Sequence, residues 1–197
     1  LLANPLFDAN AKTKIYTITD DLIDNTLYQY DEKTALEKLI INPRDLEYVK
    51  LLLSSEKVDV NMASCSLEIQ ITNDCIETFK DENTALKLIV EKYENDNFNQ
   101  CFSLLLQHPL IDINKLFLIN NIREYLSKNE TFNSIIKLNA LHLAILNGHL
   151  EVVKLLCENS KIDINILKVE EINKSLNDKE EKMIEKDSPL HVAVKNT

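Results

Sequence analysis

A single glycine, Gly148, serves the whole chain of 197 residues. That excludes the glycine-rich loops that cradle phosphates, by count alone. The four cysteines, Cys65, Cys75, Cys101 and Cys157, include no Cys-x-x-Cys pair. Their spacing argues against a disulfide framework and reads as free thiols in a reducing, intracellular setting, with the cytoplasm as the expected compartment. Structural zinc needs four ligands, usually in two close pairs. His149 with Cys157 and Cys101 with His108 offer only two apiece, so no metal or cofactor is expected. No apolar run approaches the roughly 18 residues that cross a bilayer, so no transmembrane segment is expected. Positive charge is also short: 22 Lys and Arg against 32 Asp and Glu leave a net charge of −10. A nucleic-acid footprint would be basic, so no nucleic-acid partner is expected. What the chain does have is 45% hydrophobic and 27% charged residues, an ordinary balance for a soluble protein with a core.

It also has internal repetition, which takes precedence over other signals. Leu150-Glu-Val-Val-Lys-Leu-Leu-Cys-Glu-Asn-Ser-Lys-Ile-Asp-Ile-Asn165 returns without a gap as Leu46-Glu-Tyr-Val-Lys-Leu-Leu-Leu-Ser-Ser-Glu-Lys-Val-Asp-Val-Asn61. A diverged copy runs from Asn99 to Asn114, and the tail of a fourth ends at Asn10. A second anchor precedes each copy or follows the last: Thr34-Ala-Leu-Glu, Thr84-Ala-Leu-Lys, Asn139-Ala-Leu-His and Ser188-Pro-Leu-His. Thr, Asn and Ser cap helices by accepting from the first free N–H groups. Thr34 and Glu37 have the reciprocal capping-box spacing, and Pro189 sits where a helix tolerates a missing N–H. Each anchor therefore predicts a short helix, followed by a second with apolar residues at helical spacing, such as Val49, Leu52 and Leu53, or Val153, Leu156 and Cys157. Leu51 and Leu155 are expected in the inter-helix core. Gly148, in Asn147-Gly-His149, fits the left-handed backbone of a tight helix–helix turn. Pro43-Arg-Asp45 and Glu94-Asn-Asp-Asn97 take that place in the other copies.

This helix–turn–helix resembles the ankyrin repeat, most closely over residues 139–156. The resemblance implies a mainly α helix-turn-helix solenoid, and the whole chain, 1–197, reads as one array. Residues 1–10 end a partial repeat, residues 34–61, 84–114 and 139–165 are helix pairs, and 188–197 start a further unit. The chain is thus expected to be a segment of a longer array or an incomplete gene model. Between them lie inserts at 11–33, 62–83, 115–138 and 166–187. The terminal Asn residues, Asn10, Asn61, Asn114 and Asn165, set a period of 51, 53 and 51, well beyond the ankyrin length of about 33. Most of the excess falls in the inserts, where the family has a short β-hairpin. Ile15-Tyr-Thr-Ile18 with Leu27-Tyr-Gln-Tyr30, and Leu67-Glu-Ile-Gln-Ile71 with Ile76-Glu-Thr-Phe79, alternate as hairpin strands do. We therefore expect elongated β-hairpin fingers or irregular inserts between repeats. A helical turn at Asn121–Leu126 and a helical or mobile Asp178–Asp187 are the readings of the last two. Flexible inserts expanded by biased coding are the alternative for all four.

No residue set reads as an active site. The recurring Asp8, Asp59, Asp112 and Asp163 suit turn chemistry, where a short carboxylate accepts from nearby N–H groups. Glu170-Glu171 and Glu180-Glu181 are sequence neighbours that point apart, so they form no acid–base dyad. The resemblance implies that His142 and His191, with the capping residues Thr34, Thr84 and Ser188, tie neighbouring repeats by hydrogen bonds. The expected function is a non-catalytic protein–protein interaction scaffold that binds a protein or peptide on its concave, finger-bearing face. The alternative is a regulatory or targeting segment of a larger protein whose enzyme domain lies elsewhere. Carried over from the family, the partner-binding candidates on the inserts are Tyr16, Tyr28, Tyr30, Phe79, Tyr125 and Phe132. Those on the first helices are Glu37, Lys38, Lys87, Ile145 and Asn147. Aromatic residues anchor interfaces, although these could instead pack insert against insert.

Overall fold

The computed structural model describes residues 8–21, 25–41, 46–92, 96–176 and 179–196. The turn expected at Pro43–Asp45, half of that at Glu94–Asn97, Asn4–Phe7 and Asp178 lie outside them. Elements run in a fixed order: two strands, then two helices. The first finger is β1 (Lys12–Asp21) and β2 (Asn25–Thr34), followed by α1 (Ala35–Ile41) and α2 (Leu46–Leu53). The next unit is β3 (Ser64–Ile71), β4 (Cys75–Asn83), α3 (Ala85–Glu91) and α4 (Asp96–Gln107). Then come β5 (Phe117–Tyr125), β6 (Glu130–Leu138), α5 (Ala140–Leu146) and α6 (Leu150–Glu158). The last are β7 (Lys168–Leu176), β8 (Lys179–Asp187) and α7 (Pro189–Lys195).

The mainly α expectation is overturned. Strands hold 41% of the described residues and helices 32%, and all eight strands form one antiparallel sheet in the order β1 to β8. The reason is pairing between fingers as well as within them. Thr26–Asp31 of β2 pairs with Ser66–Ile71 of β3, Cys75–Asp81 of β4 with Ile119–Tyr125 of β5, and Glu130–Lys137 of β6 with Val169–Leu176 of β7. Asn121–Tyr125 is therefore strand and not a helical turn, and Lys179–Asp187 is strand and not helix.

The register is the same at every junction. Within each finger, the third residue after the terminal Asn pairs with the residue before the helix cap: Thr13 with Lys33, Ser64 with Asn83, Phe117 with Leu138 and Lys168 with Asp187. Between fingers, the third residue before a cap pairs with the fifth after the next Asn: Asp31 with Ser66, Asp81 with Ile119 and Ile136 with Glu170. Differences in insert length are taken up at the fingertips. The third tip, for example, uses Asn129 at φ 51, a left-handed position that Asn tolerates.

The first helices stack in sequence, α1 on α3 on α5 on α7. Their facing positions recur. Leu36, Leu86 and Leu141, two after each cap, are 3%, 2% and 2% exposed, against α3, α5 and α7 respectively. The first, fourth and fifth positions of α3 are buried in turn, at Ala85, Leu88 and Ile89. The core then continues through the second helices at Val49, Phe102, Leu105, Val152 and Leu156. Leu51 is exposed, contrary to its expected core role, as is Cys157, because α2 and α6 turn Val49, Val152 and Leu156 inward instead. Leu155 packs half-buried at the margin. Leu156→Ala should lower the urea unfolding free energy by about 2–5 kcal/mol, whereas Leu51→Ala should stay within about 0.5 kcal/mol; equal losses would mean the helix phases are wrong.

Candidate interaction surface

Side chains alternate across a strand, so the common register sorts the whole sheet into two faces. One lies on the side of the first helices. Asp81 on it meets Lys87 of α3, and Glu185 and Asp187 meet Lys195 of α7. Where this face meets α1 and α3 there is a groove of about 540 Å³, with Ile15, Asp31, Phe79 and Asp81 from the sheet and Leu88 and Glu91 from the helix. Farther along the same face, Arg123 pairs with Glu77 at 2.7 Å, and Lys174 stands over the Phe132 ring at 5.8 Å. Tyr125 carries Lys128 in the same way at the third fingertip. The guanidinium of Arg123 is held further into its charged form by bonds to Glu77 and Tyr125.

The opposite face takes the other residues. Tyr16 and Tyr30 are cross-strand partners with ring centroids 5.0 Å apart, and Ile18, Tyr28, Leu67 and Ile69 adjoin them. The Tyr30 hydroxyl donates to Glu32 at 2.8 Å, and losing that proton beside a carboxylate is hard, so its pKa is pushed up to about 12. Thus the sequence candidates separate into three sets. Phe79, Tyr125 and Phe132 share the helix-side face. Tyr16, Tyr28 and Tyr30 share the other. Glu37 and Lys87 are 0% exposed and present no surface to a partner. Of the rest, Lys38 and Asn147 are exposed and Ile145 is half-buried.

Glu37, Lys87, His142 and His191 hold one equivalent position, three after the cap. Their cap bonds recur: Thr34, Thr84, Asn139 and Ser188 side chains accept from the backbone N–H of Glu37, Lys87, His142 and His191. What lies beyond differs. Glu37 returns a bond from the Thr34 N–H at 2.7 Å and accepts from the Ser64 hydroxyl of the next finger at 2.9 Å. His142 Nδ1 lies 2.6 Å from Asn139 Oδ1, and its Nε2 accepts from the Lys168 N–H of the next finger at 3.1 Å. The Lys168 N–H fits a neutral ring with its proton on Nδ1, and the Asp187 carbonyl lies 3.3 Å from the same Nε2. In the middle unit the next finger offers Phe117, an apolar residue. Lys87 turns back to its own finger and helix, meeting Asp81, Asn83 and Glu91. Burial raises the Glu37 carboxyl pKa and lowers that of His142. Gly148, at φ 70, closes the turn before α6.

One link was missed in the sequence. Each Asp accepts from the N–H of the Asn two residues on. The Asn amides then reach the next unit. Asn114 donates to the Lys161 carbonyl and accepts from the Asp163 N–H, and Asn61 and Asn10 make the equivalent pairs of bonds one and two units earlier. The signal was present in the fixed spacing of Asn after Asp, but turn chemistry accounts for the Asp alone.

A family model described as ankyrin repeats (3 copies) matches residues 66–168 and 115–197. The chain belongs to the ankyrin repeat family. Ankyrin repeats generally mediate protein–protein interaction and are generally non-catalytic. Searches of the curated proteins and of the solved structures found no match. No helix among the described residues is long and apolar enough to cross a membrane.

Two outcomes test these links. Asn114→Ala should cost about 1–2 kcal/mol in denaturant unfolding, since two bonds between units are exchanged for bonds to water; no change would show that the Asn ladder carries no stability. For His142 the folded pKa lies below 6.5, so below that pH the unfolded chain binds the proton first. Stability that is complete above about pH 6.5 should be lost as the pH falls toward the folded value, and His142→Gln should show a shallower pH profile. An identical profile in both proteins would exclude a buried neutral His142.

Proposed function

We propose that this ankyrin array is a non-catalytic scaffold that holds a protein or peptide on the helix-side face of its sheet. The observation that carries the proposal is the groove against α1 and α3, where the exposed ring of Phe79 stands over the buried Leu88 beside Asp31, Asp81 and Glu91. An apolar floor with polar groups at its border is the usual anatomy of a protein interface. The strands that form it are hydrogen-bonded into one sheet, so little ordering is lost on binding. Phe79, Tyr125 and Phe132 are the aromatic anchors of this reading, with Lys38, Ile145 and Asn147 along the first helices. The four cysteines are free thiols, which suits a reducing compartment inside the cell.

Site-specific photo-crosslinking tests the choice of face. A benzophenone side chain placed at Phe79 or Phe132 should capture a protein from lysate far more efficiently than one placed at Tyr16. Capture confined to Tyr16 would assign binding to the opposite face and overturn the proposal.

A further inference from the structure

The cavity at the third and fourth fingers belongs to β5, β6 and β7, each of which has a strand on both sides. None of its walls is an outer edge of the sheet. It measures about 330 Å³. Two rows of cross-strand neighbours on the helix-side face build it: Arg123, Phe132 and Lys174, then Tyr125, Glu130 and Leu176 nearer the tips. We propose, on the basis that the partner lies on the helix-side face, that this cavity takes an acidic side chain, Asp or Glu, from a partner segment. Its carboxylate is held between Arg123 and Lys174 over the Phe132 ring.

The local charge runs against that of the chain. The chain as a whole carries −10, and the groove against α1 and α3 on the same face is lined by Asp31, Glu68, Asp81 and Glu91 against Lys33 and Lys92. The fingertip cavity reverses that balance, with Arg123 and Lys174 against Glu130. Its cations also retain capacity. Lys174 makes no ion pair or hydrogen bond among the described residues, although Glu181 is its cross-strand partner on β8. Its ammonium stands 5.8 Å from the Phe132 ring centre instead. A ring face attracts a cation through its quadrupole and leaves the full charge available to an anion. Lys128 stands over Tyr125 in the same way at the rim. Arg123 bonds to Glu77 and Tyr125, and a guanidinium has donors to spare beyond two such bonds.

The spacing suits a single carboxylate. Arg123 and Lys174 are both cross-strand partners of Phe132, one on each side. Their backbones are therefore two strand spacings apart, about 9.6 Å. Lys174 already leans inward over the ring. A carboxylate between the two cations gives one oxygen to each, in charge-assisted bonds of about 2.8 Å. The methylene stem of the acid lies on the face of Phe132, and Tyr125 and Leu176, the latter 45% exposed, offer apolar surface to its neighbour. Glu130 within the cavity and Glu181 beside it repel a doubly charged phosphate more strongly than a singly charged carboxylate, so the carboxylate is the better match.

A random-peptide library displayed on phage and selected on the 197-residue protein supplies the probe. The enriched sequences should share an Asp or Glu at one position. A synthetic peptide of that sequence should bind about tenfold more weakly when its acid is changed to the matching amide, because a charge-assisted bond to each cation is lost. That comparison uses the unmodified protein, so it stands even where a variant misfolds. Lys174→Glu should weaken the acidic peptide by a similar factor and should bind the peptide with Lys in place of the acid better than the unmodified protein does. Enriched sequences without a shared acid, or equal affinity of acid and amide peptides, would overturn the acidic subsite. If those sequences still lose binding on Phe79→Ala, the helix-side face stands and the acidic subsite alone fails. Peptides indifferent to both Phe79→Ala and Lys174→Glu, or a selection that enriches nothing, would overturn the face and the subsite together.

Discussion

The fold depends on one constraint: the strand register is locked to the helix caps. A sheet one layer thick has no second layer to sort its faces, so a slip of one residue would exchange them with little penalty from the strands themselves. The helices supply that penalty. Lys87, buried in the stack, needs Asp81 on the near face. Glu37 needs Ser64, and His142 needs the Lys168 N–H, each at the third residue after a terminal Asn. Slipping any finger by one residue would leave a charged or polar group in the helical core without its partner, and an unpaired group there costs far more than a pair contributes.

The same constraint explains why one position can hold an acid, a base and an imidazole. What is fixed is the place of the side chain, at the cap and facing the next finger. What varies is the group the next finger presents. A hydroxyl at Ser64 suits a carboxylate. A backbone N–H at Lys168 suits the unprotonated nitrogen of a neutral imidazole. A phenyl ring at Phe117 suits neither, so the lysine bonds backward into its own unit. The opposite pKa directions of Glu37 and His142 follow from burial acting on opposite charge types. For Glu37, the raised folded pKa means stability is complete below the ordinary carboxylate pKa and declines as pH rises through the folded one. For His142 the decline runs the other way. The two junctions therefore oppose one another across the acid range, and neither dominates the pH response of the stack by kind alone.

Much of this was legible in the sequence because it is local. Caps, the capping box at Thr34 and Glu37, the left-handed Gly148 and the Asp turns each depend on residues within a few positions of one another. The membership of the helical core at Val49, Leu105 and Leu156 follows from spacing of the same range. The sheet was not legible in this way. Alternation at Ile15–Ile18 or Leu67–Ile71 specifies a strand but not its neighbour, and the charged run at Lys179–Asp187 carries no apolar alternation at all. It is a strand because β7 beside it is one. The division of Tyr16, Tyr28 and Tyr30 from Phe79, Tyr125 and Phe132 likewise depends on parity, counted from the terminal Asn on the first strand of a finger and from the helix cap on the second, which has meaning only once the register is known.

Parity also decides what the two faces can offer. On the helix-side face the aromatic rings are dispersed, Phe79 on the second finger and Phe132 and Tyr125 on the third, each with charge nearby. Such a surface selects by geometry along its length, with each unit adding a modest contact. On the opposite face Tyr16, Tyr28 and Tyr30 are concentrated in the first finger with Leu67 and Ile69 behind them, and toward β8 the composition shifts to Asn133, Asn173 and Lys182. A gradient of this kind along an otherwise strict repeat means that the units are alike in backbone and different in surface. The backbone is held uniform by the caps and the Asn ladder, so surface residues are free to diverge from one finger to the next without disturbing the register that presents them.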